Sequence, residues 1–201
     1  MSDAGASVRR VLVAITGASG AVYGWRLLQV LRQTPGVETH LVVSPSGWVT
    51  LRHELDLGPE AMQSFVHQLY DASDVGAGPA SGSFHCHGMV IAPCSMRSLA
   101  AVAHGLADNL ITRAADVMLK ERRRLVLMAR ETPLHLGHLR NMTTVTEMGG
   151  IICPPMPAFY LRPKSIEDLV DGSIARVMDL LGLPHQLSDR WSGLGHHVRT
   201  A

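Results

Sequence analysis

Cysteine is scarce. Cys86, Cys94 and Cys153 are odd in number and widely spaced, which excludes a disulfide framework and points to a reducing cytoplasm. Aromatics make up only 4% of the 201 residues. No charge dominates, since 18 Lys+Arg against 17 Asp+Glu leave a formal +1. A general grip on DNA or RNA rests on a basic surplus, so nucleic acid is not an expected partner. No apolar run approaches the ~18 residues that span a bilayer, so no integral membrane segment is expected. Met1 to Arg10 lacks the apolar stretch of a secretory signal. Lysine is nearly missing, because 16 of the 18 basic residues are Arg. Arg is the better fork for phosphate and carboxylate.

What is present is a core. Hydrophobic residues are 46% and charged residues 17%, enough for about one globular domain. Val11 to Ile15, Val37 to Val43, Met89 to Ala92, Leu125 to Ala129 and Ile151 to Cys153 read as buried strands. Helices are expected after Gly20, after Gly47, over Leu99 to Ala103, over Asp108 to Arg122 with Asp108 as N-cap, over Leu136 to Met148, and over Ser165 to Leu181. The last opens on a capping-box pattern, Ser165-Ile166-Glu167-Asp168. Alternating apolar strands and helices predict an α/β fold, a single-domain doubly wound parallel sheet of the Rossmann or flavodoxin-like kind. The domain runs over 8–183, and 184–201 reads as a polar, His-rich tail.

In such a sheet ligands bind beyond the carboxyl ends of the strands. Those ends carry Gly17-Ala18-Ser19, Ser44, Ser95-Met96-Arg97-Ser98 and Arg130-Glu131. Small residues allow close backbone approach, and hydroxyls with helix N-terminal amides suit phosphate. The pattern favours a nucleotide-like ligand, although Gly17-x-x-Gly20 is not the dinucleotide fingerprint and no P-loop lysine follows. Arg113, Asp116 and Lys120 share one helix face, either as a solvated face or as a pocket for a small phosphorylated ligand. His85-x-His87 and His135-x-x-His138 have no Cys or carboxylate at a standard spacing, and no metal site is expected. Arg122-Arg123-Arg124 reads as a solvated helix end, and Cys94 as a buried inert thiol.

Seven motifs in order resemble one family: Thr16-Gly17-Ala18-Ser19-Gly20, Pro79-Ala80-Ser81-Gly82-Ser83, Pro93-Cys94-Ser95, Asn109 to Asp116, Leu119 to Arg123, Arg130-Glu131-Thr132-Pro133, and Pro155 to Tyr160. The chain resembles a flavin prenyltransferase of the UbiX type from about Val11 to Leu183. Its Arg-rich, Met-rich wording also resembles the member associated with phenolic-acid decarboxylases. The resemblance implies an FMN-binding homo-oligomer, usually a dodecamer, that joins dimethylallyl phosphate to reduced FMN at N5 and C6 without a metal. The prenylated FMN serves a UbiD-type decarboxylase. Two alternatives remain. One is a flavin-dependent cysteine-type decarboxylase, which needs a His near the start, whereas no His precedes His40. The other is a non-catalytic flavin-binding accessory subunit.

The resemblance also implies roles. Gly17, Ala18, Ser19, Ser44, Ser95, Met96, Arg97, Ser98 and Arg130 match flavin contacts. Ser19 is a proton relay with Glu54 as its partner. Ser81, Gly82, Arg113, Lys120, Arg130, Tyr160 and Arg176 match the donor-phosphate site. There cations would stabilise the charge that grows on the leaving group, and Lys120 counts among the catalytic residues. Glu131 is the acid–base group beside the phosphate, and Trp191 covers the site. Val75 stands near a position where some members carry an aromatic residue.

Overall fold

In a computed structural model the structure describes residues 8–188. Six strands form one parallel sheet in the order β3-β2-β1-β4-β5-β6. They are β1 (Arg9–Ile15), β2 (Val37–Val43), β3 (Gln68–Asp71), β4 (Gly88–Cys94), β5 (Arg124–Ala129) and β6 (Ile151–Ile152). The helices are α1 (Ala21–Gln33), α2 (Pro45–Leu55), α3 (Pro59–Phe65), α4 (Met96–Ala103), α5 (Leu110–Lys120), α6 (Leu136–Glu147) and α7 (Ile166–Leu181). The doubly wound prediction holds. The chain winds outward from β1 to β3, crosses back beside β1, and winds outward again through β6. The reversal opens a crevice between β1 and β4, where such folds take ligands.

Two apolar layers cover the sheet because its strands carry apolar side chains on both faces. Val11, Val13 and Ile15 pack under α1 and α7, while Leu12 and Ala14 pack under α4, α5 and α6. Every residue of β4 is buried. Each fully buried Leu, Ile or Val contributes ~1.5–3 kcal/mol over an exposed one. Helix α1 buries Leu27, Leu28 and Leu31 at helical spacing. Gly24 lets it cross β4 closely, because a Cβ there would collide with the Ala92 carbonyl. Gly24→Ala would therefore lift α1 from the sheet.

Several expectations need correction. A strand, β3, and a helix, α3, lie where the sequence reading had none. Asn109, not Asp108, caps α5, accepting from the Thr112 N–H at 3.1 Å. Asp108 instead takes Arg97 at 2.6 Å. Ser165 does cap α7, accepting from the Asp168 N–H at 3.1 Å. The Asp168 carboxylate returns to the Lys164 N–H at 2.7 Å, one residue earlier than a capping box requires.

Candidate functional site

A cavity of about 940 Å³ sits at the carboxyl ends of β2, β3 and β4. This is the size of a cofactor pocket. Ser44, Ser95, Arg97 and Ser98 line it, as the sequence reading expected. Ser44 caps α2, accepting from the Gly47 N–H at 3.0 Å. Ser95 caps α4, accepting from the Ser98 N–H at 3.3 Å. Two helix N-termini thus meet one cavity, and each carries partial positive charge. Thr16 ties the neighbouring loop down, its hydroxyl donating to the Pro93 carbonyl at 2.8 Å and accepting from the Ser95 N–H at 2.8 Å. Gly17 permits the β1 and β2 loops to touch, since a Cβ there would lie 2.5 Å from the Ser46 side chain. Ala18 is buried, and Met96 packs against the α4–α5 layer. Hydroxyls, amides and one arginine form a donor set suited to the phosphate and polar edge of FMN.

Sequence reasoning missed the opposite wall. Trp48, Gln63, Tyr70, Asp71 and Ser73 come from α2, α3, β3 and the turn after β3. The signal was the apolar Leu69-Tyr70 pair between polar neighbours. It is too short to read as a strand unaided.

Beside the Gly17 loop stands a second cluster. The Glu54 carboxylate accepts from the Gly20 N–H at 2.9 Å and the Ala21 N–H at 2.8 Å, so α2 caps α1 from a distance. Burial pushes Glu54 up. The Ser19 hydroxyl, these two amides and the Arg130 guanidinium together outweigh that and hold it below the ordinary glutamate range. Glu54 is therefore ionised at neutral pH, and Ser19 donates to it. The Ser19 oxygen keeps its lone pairs for another donor. Burial raises the Tyr23 phenol, and Arg130 partly offsets this. Tyr23, Ser19, Glu54 and Arg130 thus form one electrostatic group, of which Tyr23 was not anticipated.

Apart from Arg130, which stands with Glu54, the expected phosphate residues fall into two sets. Ser81, Gly82, Arg113 and Lys120 gather at α5. The Arg113 Nε donates to the Ala80 carbonyl at 3.1 Å, and its Nη1 pairs with Asp116 at 2.7 Å. Lys120 Nζ meets Glu121 at 2.5 Å. The Lys120 ammonium, chiefly through that hydrogen bond, holds the Glu121 carboxyl below its usual range. Gly82 leaves room for the pair, since a Cβ there would lie 3.0 Å from Lys120 Nζ and overlap Glu121. Tyr160 and Arg176 line a different cavity of about 180 Å³ with Cys153 and Met128. That cavity lies on the α7 side of the sheet, while α5 covers the other face. One chain therefore does not bring the two sets together. Glu131 is exposed and accepts from the Thr132 N–H at 3.0 Å. Val75 is exposed. Trp191 lies outside the described residues.

Other candidates resolve structurally. Burial pushes the Cys94 thiol up to about 12, so it stays a thiol and not a nucleophile. His87 Nε2 lies 2.8 Å from the Leu181 carbonyl. His135 caps α6, accepting from the Gly137 N–H at 3.0 Å.

The sheet and its carboxyl-edge cavity belong to the doubly wound α/β class, and the family model described as Flavoprotein matches residues 3–181, which makes the chain a flavoprotein. The chain is 51% identical over 188 residues to the flavin prenyltransferase UbiX of Escherichia coli K12, covering 92% of this chain and all of that enzyme. It superposes with TM-score 0.89 on AnUbiX (PadA1), solved in complex with FMN and dimethylallyl pyrophosphate, at 50% identity over 92% of this chain and 98% of that one. The same score relates it to a dodecameric FMN-dependent UbiX-like decarboxylase from Escherichia coli O157:H7, at 44% identity over 92% of this chain and all of that one. The chain belongs to the UbiX flavin prenyltransferase family.

Proposed function

We propose that the protein joins the dimethylallyl group of dimethylallyl phosphate to reduced FMN, and that its prenylated product serves a UbiD-type decarboxylase in the cytoplasm. The observation that carries this reading is the coexistence of two sites in a chain 51% identical to a flavin prenyltransferase along that enzyme's full length. One is a cavity lined by several hydroxyls, and the other is a cationic cluster at α5.

Reduced FMN supplies the nucleophilic ring positions N5 and C6. Ser44, Ser95, Met96, Arg97, Ser98 and the Gly17-Ala18-Ser19 loop hold it, with Arg130 at its edge. Ser19 Oγ would take the proton released near flavin N5 and pass its own hydroxyl proton to ionised Glu54, which ends the relay protonated. Ser81, Gly82, Arg113 and Lys120 grip the donor phosphate. The ammonium and guanidinium strengthen their hold as negative charge grows on the departing group. Glu131 exchanges a proton with that group. Tyr160 and Arg176 reach the phosphate from a second copy of the chain, so the active form is a homo-oligomer, a dodecamer by likeness to its relative.

The test is anaerobic incubation of the purified protein with reduced FMN and either dimethylallyl phosphate or the pyrophosphate, followed by mass spectrometry of the flavin. A gain of one five-carbon unit supports the reading. An unchanged flavin mass with both donors overturns it and favours the accessory-subunit reading.

A further inference from the structure

We propose that Arg123 is a positioning residue for the allyl donor, holding the Ser81–Phe84 loop so that Gly82 stays against Lys120. The inference deepens the prenyltransferase reading and rests on it.

In the run Arg122-Arg123-Arg124, Arg122 and Arg124 are exposed, as a solvated helix end leading into a strand would have them, but Arg123 is not. The Arg123 side chain is only 18% exposed. Its Nη1 donates to the Phe84 carbonyl and its Nη2 to the Gly82 carbonyl, both at 2.7 Å. The end of α5 aims it there. Arg122 adopts a left-handed conformation, φ 56°. The Arg122 N–H returns to the Leu119 carbonyl at 3.1 Å, and the Arg123 N–H returns to Met118 at 2.8 Å. This closing pattern reverses the chain in one step. Arg123 consequently leaves α5 toward the loop that its own helix faces.

The loop is held at several points. The Phe84 N–H donates to the Ser81 carbonyl at 3.1 Å. The Phe84 ring meets His40 edge-on, with centroids 5.2 Å apart, and lies 5.5 Å from the Arg10 guanidinium carbon. Arg113 holds Ala80 from the other end. Gly82 lies between, in contact with Lys120 and Glu121. Arg123 also stands 3.9 Å from Glu121, the counter-ion of Lys120. One planar fork thus fixes two carbonyls of the loop that the donor phosphate would touch. A lysine carries the same charge on one compact ammonium and lacks the rigid planar fork whose two Nη groups each serve one carbonyl.

Arg123→Lys therefore separates geometry from charge. In anaerobic steady-state assays of the holoenzyme, the KM for dimethylallyl phosphate should rise about tenfold, while kcat stays within about twofold and FMN affinity is unchanged. Hydrogen exchange over 81–84 should quicken. Arg124→Lys is the control, because Arg124 Nη1 holds the Leu181 carbonyl at the end of α7, 2.9 Å away. It should leave donor KM unchanged. An unchanged donor KM in Arg123→Lys, an equal rise in Arg124→Lys, or a matching loss of FMN affinity overturns the inference. If Arg123→Lys does not fold, Phe84→Leu loosens the same loop from its ring side. It must raise donor KM selectively, and failure to do so also overturns the inference. Wild-type protein that leaves the flavin mass unchanged removes the prenyltransferase reading itself, a result distinct from any difference between variants.

Discussion

The cavity at the carboxyl ends of β2, β3 and β4 and the cationic cluster at the end of α5 are built by different means. The cavity draws on caps and backbone amides. Ser44 and Ser95 are fixed by α2 and α4, and its one arginine, Arg97, is already neutralised by Asp108. That exposed pair adds little stability. The α5 cluster draws on long charged side chains, each held by a carboxylate: Arg113 by Asp116 and Lys120 by Glu121. Arg176, on the other face of the sheet, stands 3.9 Å from Asp179. A cavity lined by helix caps and backbone amides has its donors already fixed and costs little reorganisation on binding. A site of paired cations must exchange partners when an anion arrives, and two of its expected members lie behind the sheet.

Substitutions should therefore separate the two regions. The largest expected effect is at Lys120. Lys120→Ala should lower kcat/KM for the allyl donor by about 10²–10³-fold, the usual loss for one charge-stabilising donor. Isothermal titration of oxidised FMN should show nearly unchanged affinity. Next comes Gly17→Ala, whose Cβ would meet Ser46. Overpacking of this kind costs about 2 kcal/mol. Denaturant unfolding should report that loss, and FMN affinity should fall with it while the α5 loop keeps its hydrogen-exchange protection.

Glu54→Gln is smaller, about 1 kcal/mol, as for loss of a helix cap. It also carries a pH signature. Glu54 is held below its unfolded value of 4.5. Its contribution is therefore present above that value and disappears as pH falls through the lower, folded one. The stability gap between wild type and variant should be full at neutral pH and close in acid. Smallest is Arg122→Gly, which relieves a left-handed backbone strain but adds unfolded-state entropy, and should raise stability by about 0.5 kcal/mol. Thermal melts would register it with FMN binding unchanged.

The cavity side was the more legible in sequence, and the reason is local. A buried strand followed by small or hydroxyl residues encodes both the strand end and the cap, so Ser44 and Ser95 could be read from their neighbours. Helix α3 and strand β3 escaped because seven and four residues carry too few periods to register. The strand depends on pairing with β2, with His40 opposite Gln68 through Val43 opposite Asp71. The α5 cluster was legible as residue types on one helix face but not as an arrangement. Nothing in Arg122-Arg123-Arg124 tells which arginine turns inward, because that choice is made by the left-handed residue at the helix end. Likewise, no spacing reveals that Tyr160 and Arg176 fall behind the sheet, since that follows from the winding of α7.

Complementation between copies tests this division most directly. Lys120→Ala and Arg176→Ala each damage a different half of the proposed donor site. Co-expressed, they should assemble mixed oligomers in which about a quarter of the interfaces carry both intact halves, if mixing is random. The account predicts that prenylated FMN reappears in the mixed oligomers while either variant alone makes little. Mixed oligomers, verified by native mass spectrometry, that remain as inactive as their parents would contradict it.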